Sequence, residues 1–213
     1  GLAACKIPVG KWGKAFFDWL IETFDVFFGA LADGLNFILD GIVDQLLVVP
    51  PVLLALLFAL LAWFLQRSRG LAIGVFLGLL FIINQNLWKQ TVETLVLVVA
   101  ASAASMAIGV PIGIWCAHKP KVYRFLLPVL DLMQTLPTFV YLIPVLTLFG
   151  LGNAPGLIVT IIFVIPTAVR LTHLGMVNVP KSIIEAGESF GATRQQLLWK
   201  VELPAALPTI VAA

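Results

Sequence analysis

Residues 181–208 read KSIIEAGESFGATRQQLLWKVELPAALP, a polar stretch set directly after a series of very apolar ones. Pro180 ends whatever precedes it, and Ser182 followed three residues later by Glu185 forms a capping-box pattern that predicts the start of a short helix. Gly191 is placed to end that helix, because glycine tolerates the left-handed conformation common just past a helix C-terminus. Thr193 followed by Gln196 then caps a second helix carrying Leu197, Leu198 and Val201, until Pro204 interrupts its hydrogen bonding. The expected shape is two short helices with a glycine corner, suited to a lever that fits a groove on a partner. A juxtamembrane helix pair packed on its own bundle is an alternative reading of the same residues. A DNA-binding helix-turn-helix is a third. Strong basic charge is expected there, whereas this segment mixes Lys181, Arg194 and Lys200 with Glu185, Glu188 and Glu202.

Outside this segment the chain is overwhelmingly apolar. Of its 213 residues 61% are hydrophobic and 11% charged, with a mean hydropathy of +1.05. Soluble domains carry about 25% charged residues, so the composition is that of an integral membrane protein. A net charge of +2 gives no case for nucleic acid. Thirteen prolines and seventeen glycines in so apolar a chain point to kinked, closely packed transmembrane helices.

Five spans are expected from apolar stretches of about 20 residues, at Leu46 to Leu65, Gly70 to Trp88, Thr94 to Ala117, Phe125 to Phe149 and Pro155 to Leu171. The run from Gly150 to Gly156, rich in turn formers, divides the last two. Trp63, Trp88, Trp115 and Tyr123 fall near span ends, as interfacial aromatics do. Arg67 and Arg69 follow the first span, Lys119, Lys121 and Arg124 the third, and Arg170, Lys181, Arg194 and Lys200 the fifth. The intervening loops hold only Lys89, so the positive-inside rule puts the 181–208 segment in the cytoplasm and the amino-terminal stretch outside.

Residues 1–46 form a separate amino-terminal segment. Within it Asp18, Glu22, Asp25, Asp33, Asp40 and Asp44 fall in a sector of about 100°, an acidic stripe on a helix otherwise covered by Phe, Leu, Ile and Trp. Such an amphipathic helix is expected in the membrane interface as a brace around the bundle, divided in two near Gly29 and Gly34.

Conventional reaction centres are hard to find. Cys5 and Cys116 are the only cysteines and lie far apart, so neither a disulfide framework nor a zinc site is implied. His118, in a basic loop, and His173, at the end of an apolar run, read as interfacial residues. No nucleophile, base and acid come together as a membrane-embedded hydrolase requires. No cleavable leader is apparent at the start, where Lys6, Lys11 and Lys14 are followed by acidic residues. Gly1 in place of methionine, and the closing residues LPTIVAA, suggest a piece of a longer chain with at least one more spanning helix beyond Ala213.

Glu185-Ala186-Gly187, Gly191 and Val201-Glu202-Leu203-Pro204 resemble the E-A-A-x3-G-x9-I-x-L-P signature of the membrane subunits of ABC importers, with Gly187 replacing the second Ala and Val201 the Ile. Residues 130–172, LDLMQTLPTFVYLIPVLTLFGLGNAPGLIVTIIFVIPTAVRLT, are similar to the permeases of the glycine betaine, proline betaine and choline branch. The likeness extends less strictly from about Val48 onward. It implies an all-α, polytopic bundle of the type I ABC importer permease kind over residues 47–213, with an ATPase-docking loop at about 172–208. Glu185, Ala186, Gly187, Gly191, Val201, Leu203 and Pro204 are its docking residues. The implied machine takes up quaternary ammonium osmoprotectants such as glycine betaine, proline betaine, choline or carnitine across a bacterial inner membrane. It pairs two permeases with two ATPase subunits that use ATP and Mg, and with an external substrate-binding protein; this chain binds no cofactor and breaks no substrate bond. The same machine moving an amino acid or another amine is the nearest rival.

A secondary transporter or channel would need buried coupling residues. Asp131, the one acidic residue between Glu93 and Glu185, is the sole intramembrane suspect. Seven residues after Arg124, it lies about 10 Å along a helix from the cytoplasmic interface. A structural hydrogen bond, to helix ends or to Arg124, is favoured over contact with a cationic substrate. Phe139, Tyr141 and Phe149 offer aromatic faces that attract trimethylammonium groups, though packing is the favoured reading for each; Phe139 and Tyr141 join Asp131 as candidate lining of a substrate pathway. Pro137, Pro144 and Pro166 are expected to break helices beside a pore.

Overall fold

The computed structural model describes residues 9–212, and Val9 only in its backbone; Gly1, Cys5, Lys6 and Ala213 lie outside the described residues. Among the described residues ten α-helices succeed one another and no strand occurs. Two units are distinguished, one of residues 9–98 and 143–156, the other of 99–142 and 157–212.

In the first unit, α1 (Val9–Val48) is one long helix whose kink falls at Phe24, with φ −118° and ψ 15°. Gly29 and Gly34 stay helical, so the expected division there is corrected: a helical glycine costs about 1 kcal/mol without breaking the hydrogen-bond ladder. Ala32, Leu39 and Val43 are buried, whereas all six acidic residues of the stripe are exposed. By length and composition α1 is also long enough to cross a membrane. Helices α2 (Pro51–Gln66) and α3 (Arg69–Asn84) form a hairpin. Arg67 turns it in the left-handed conformation, φ 54°, and Ser68 accepts a hydrogen bond from Leu71 N at 3.3 Å as the cap of α3. Each helix has 16 residues. At 1.5 Å per residue that is about 24 Å, short of the ~30 Å hydrocarbon core. The two expected spans here are therefore shorter than full crossings.

Trp88 opens α4 (Trp88–His118), and its side chain is buried rather than displayed at an interface. The Gly150–Gly156 break is observed: Gly150 and Gly152 take φ +74° and +152° before α7 (Asn153–Val177) begins. Contacts from α1 hold this turn. Asn36 Oδ1 accepts from the Ala154 N–H at 2.9 Å, Asn153 donates to Asp40 Oδ1 at 3.1 Å, and Phe28 meets the Phe149 ring edge-on at 5.2 Å.

The expected fourth span is not straight. Helices α5 (Pro120–Thr135) and α6 (Thr138–Phe149) meet at 89° across Leu136 and Pro137. Leu136 is extended, φ −72° and ψ 135°, because the proline ring excludes the helical conformation from the residue before it. Pro144 and Pro166, by contrast, lie inside α6 and α7, which continue through them. Each ring removes one donor only, so those two expected breaks are corrected.

Close approach of α4 and α7 follows from small residues four apart. A methyl group at Gly109 would lie 2.5 Å from Ala168 Cβ, and one at Gly113 would lie 2.5 Å from Thr172 Cβ and 2.8 Å from the Val169 carbonyl. Only glycine lets the backbones come so near, the packing device of membrane helices that lack a hydrophobic driving force between them. Cys116 and Thr172 are fully buried in this layer.

Candidate docking segment and ion-paired pathway

The helical end of α7 and the burial of Thr172 delay the segment expected from Thr172; it begins after Val177. Helix α8 (Lys181–Ser189) starts at Pro180 as its cap, with no side-chain capping bond. Ser182 is already inside the helix, so the expected capping box is corrected. Proline suits the terminus because its missing N–H is not needed there.

The C-terminus of α8 forms as expected around Gly191, whose φ is +74°. Gly191 N donates to Glu188 O at 2.8 Å and Ala192 N to Gly187 O at 3.1 Å, the paired bonds of a Schellman motif. The second expected cap is also present. Thr193 Oγ1 accepts from Gln196 N at 3.3 Å, and Gln196 Oε1 accepts from Thr193 N at 2.9 Å. Pro204 does not end the helical run, as its sequence position suggests it should. Helix α9 (Arg194–Leu197) passes through a π-helical turn (Leu198–Glu202) into α10 (Leu203–Val211), the Leu203 N–H reaching Leu198 O. The wider turn re-registers the hydrogen bonds just ahead of the proline, so helical geometry survives a residue that cannot donate.

These elements form one folded piece. Leu197 is buried, and a methyl at Gly187 would come within 2.7 Å of its Cδ2. Met176, Val179, Ala206 and Ile210 form a cluster joined by Ile114 and Ala117 of α4, Ile184 of α8 and Leu198. Val201 and Leu203 are half-buried, whereas Glu185, Ala186, Gly191 and Pro204 are exposed. Phe190 at the corner is 92% exposed and Trp199 on the π turn 65%. Their display is not legible from sequence, where both read as ordinary apolar positions.

Another contact ties α4 to this piece. His118 Nε2 lies 3.1 Å from Glu202 Oε2 and Nδ1 2.9 Å from Ile114 O. Both neighbours are acceptors when Glu202 is ionised, so the ring makes both bonds only when each nitrogen carries a proton. His173 instead stacks flat on Tyr123, centroids 3.6 Å apart.

Asp131 pairs with Arg170 of α7, not with Arg124. The sequence carries a signal for this: Asp131 and Arg170 are the only fully charged side-chain types between Arg124 and Lys181. Loop-charge counting uses Arg170 only as a cytoplasmic positive charge and so passes over it. One turn along each helix Gln134 donates to Thr167 Oγ1 at 3.0 Å. Tyr141 donates its hydroxyl to Met133 O at 3.1 Å and lies 3.4 Å from Leu132 O, which ties it to the last turn of α5. Phe139 is 73% exposed. No cluster of three or more potential metal ligands occurs among the described residues.

Residues 109–213, from the glycine contact of α4 onward, match the binding-protein-dependent transport system inner membrane component family. The chain is 43% identical over 207 residues to the glycine betaine transport system permease protein OpuAB of Bacillus subtilis, covering 97% of this chain and 73% of that one. The chain belongs to this permease family. It is 40% identical over 209 residues to the glycine betaine/carnitine transport permease protein GbuB of Listeria monocytogenes, of which it spans 74%. Against the glycine betaine/proline betaine transport system permease protein ProW of Escherichia coli it is 42% identical over 206 residues, 58% of that protein. The permease is thus an all-helical, multi-pass inner membrane component.

Proposed function

We propose that this permease is the membrane-spanning subunit of an ATP-driven importer for quaternary ammonium osmoprotectants of the glycine betaine class. The observation that carries the reading is the Schellman corner at Gly191 between two short helices, coinciding with the importer signature and exposing Phe190 and Trp199. The relatives named for glycine betaine, carnitine and proline betaine supply the solute class.

In this reading Glu185, Ala186, Gly187, Gly191, Val201, Leu203 and Pro204 build the surface that meets the ATPase. Phe190 and Trp199 add aromatic anchors of the kind that dominate interface energetics. Motion of the partner enters through a rigid piece and reaches α4 and α7 by the Met176 cluster and the His118–Glu202 contact. A substrate-binding protein delivers solute from outside, and a second permease copy completes the pathway. ATP and Mg belong to the partner. The amino-terminal helix α1 lies in the external interface as a brace, and the docking segment faces the cytoplasm.

Copurification with the ATPase subunit, followed by ATPase assays with the binding protein and a panel of solutes, tests this. Stimulation by glycine betaine and its N-methylated analogues is expected. Stimulation by amino acids alone would replace the solute class while leaving the importer.

A further inference from the structure

Two opposite charges are placed inside spanning helices at a cost in desolvation, and they meet each other where the fourth span is broken. Neither is sealed off: the side chains of Asp131 and Arg170 are 55% and 31% exposed. Arg170 Nη2 goes to Asp131, while its Nε–H is buried without an acceptor. That donor is closed to the outside, so an incoming acceptor would meet the Nη end of the guanidinium, which is on the part-exposed side chain. The C-terminal end of α5, the helix that carries Asp131, presents a partial negative charge, and the Tyr141 hydroxyl is tied to that last turn through Met133 O.

We propose that the Asp131–Arg170 pair is a substrate site held closed by its own charges, which a zwitterionic trimethylammonium carboxylate opens by taking the place of each partner. This rests on the transport reading above. The solute carboxylate accepts from the planar fork of Arg170, the geometry guanidinium recognises best. The trimethylammonium group has no N–H to donate, so it is met by charge and by an aromatic face: Asp131, the negative end of α5 and Tyr141. One ion pair is exchanged for two, with no change in net charge. A solute bearing only one of the two charges would leave one protein charge unpaired in the membrane. Gln134 bonded to Thr167 keeps α5 and α7 in register while the pair is open.

The full complex of permease, ATPase and binding protein, reconstituted in liposomes, tests this with two readouts. Arg170→Gln and Asp131→Asn should each lower ATP-dependent glycine betaine uptake per assembled complex by roughly tenfold or more. The exchange Asp131→Arg with Arg170→Asp should not restore it, because the pathway would then present each charge to the wrong end of the solute. Independently, in a background with Cys5 and Cys116 replaced, Thr135→Cys lies one turn beyond Asp131 on α5. Glycine betaine should slow its labelling by a trimethylammonium thiosulfonate several-fold, and Arg170→Gln should abolish that protection. Restoration of uptake by the exchanged pair would reduce the contact to a structural ion pair. Full uptake in Arg170→Gln, or labelling indifferent to glycine betaine, would also overturn the site while leaving the importer standing. Absence of ATP-dependent uptake in the unaltered complex would overturn the transport reading and the site with it.

Discussion

At the scale of a single residue, Gly191 sets the corner between α8 and α9. Its φ of +74° is one that a β-branched side chain adopts only at a penalty of roughly 1–2 kcal/mol. No atom lies within 4 Å of a methyl placed there, so the constraint is conformational and not steric crowding. Gly191→Val should therefore insert normally yet lose ATPase copurification and uptake at matched membrane abundance. Wild-type assembly in that variant would show that the corner does not depend on glycine. Gly187 is the converse case, with an ordinary backbone and a neighbour in the way. Alanine there must move Leu197 Cδ2, the far end of a flexible side chain, so Gly187→Ala should cost less than about 1.5 kcal/mol. Uptake close to wild type is expected. The Gly191 corner and the Thr193 cap are legible in the sequence because turn and cap chemistry is local. The partner of Asp131 is signalled only by the scarcity of charge between Arg124 and Lys181, and is passed over because Arg170 is 39 residues away while Arg124 is nearer along the chain.

Among elements, the crossing of α4 and α7 supports both the α8–α10 piece and the ion pair. A methyl at Gly113 meets a backbone carbonyl at 2.8 Å, which cannot rotate aside, so the helices must separate. Gly113→Ala is expected to destabilise the purified permease by about 1–3 kcal/mol. Gly78→Ala, with nothing within 4 Å, should leave thermal unfolding unchanged. Equal behaviour of the two would contradict the close approach. In the first unit, Asn36 caps the start of α7, and Asn36→Ala should cost about 1 kcal/mol and speed hydrogen exchange at the Ala154 amide. Unchanged exchange would mean the contact does not hold the turn. Sequence patterns locate the apolar helices and the glycine-rich break, because both depend on composition over a short window. They miss the kink at Phe24, the π turn before Pro204 and the passage of helices through Pro144 and Pro166. In each, packing or a local re-registering of hydrogen bonds overrides what the residue does in isolation.

At the scale of the whole molecule, orientation and energy source decide how the permease works. Basic residues gather in alternate loops, so a cysteine at Ser189 should react with an impermeant thiol reagent only after the cell is opened. Labelling in intact cells, at the rate of a cysteine near Gly10, would invert the topology and remove the docking role. On α1 the acidic stripe is exposed while Ala32, Leu39 and Val43 are buried. In the proposed mechanism solute movement is driven by ATP through a docked partner and not by an ion gradient. The direct measurement is accumulation of labelled glycine betaine in proteoliposomes holding the permease and its ATPase, with binding protein and ATP supplied or withheld. Uptake that requires both, and is indifferent to an imposed proton gradient, is predicted. Accumulation driven by the proton gradient in liposomes containing the permease alone would contradict it.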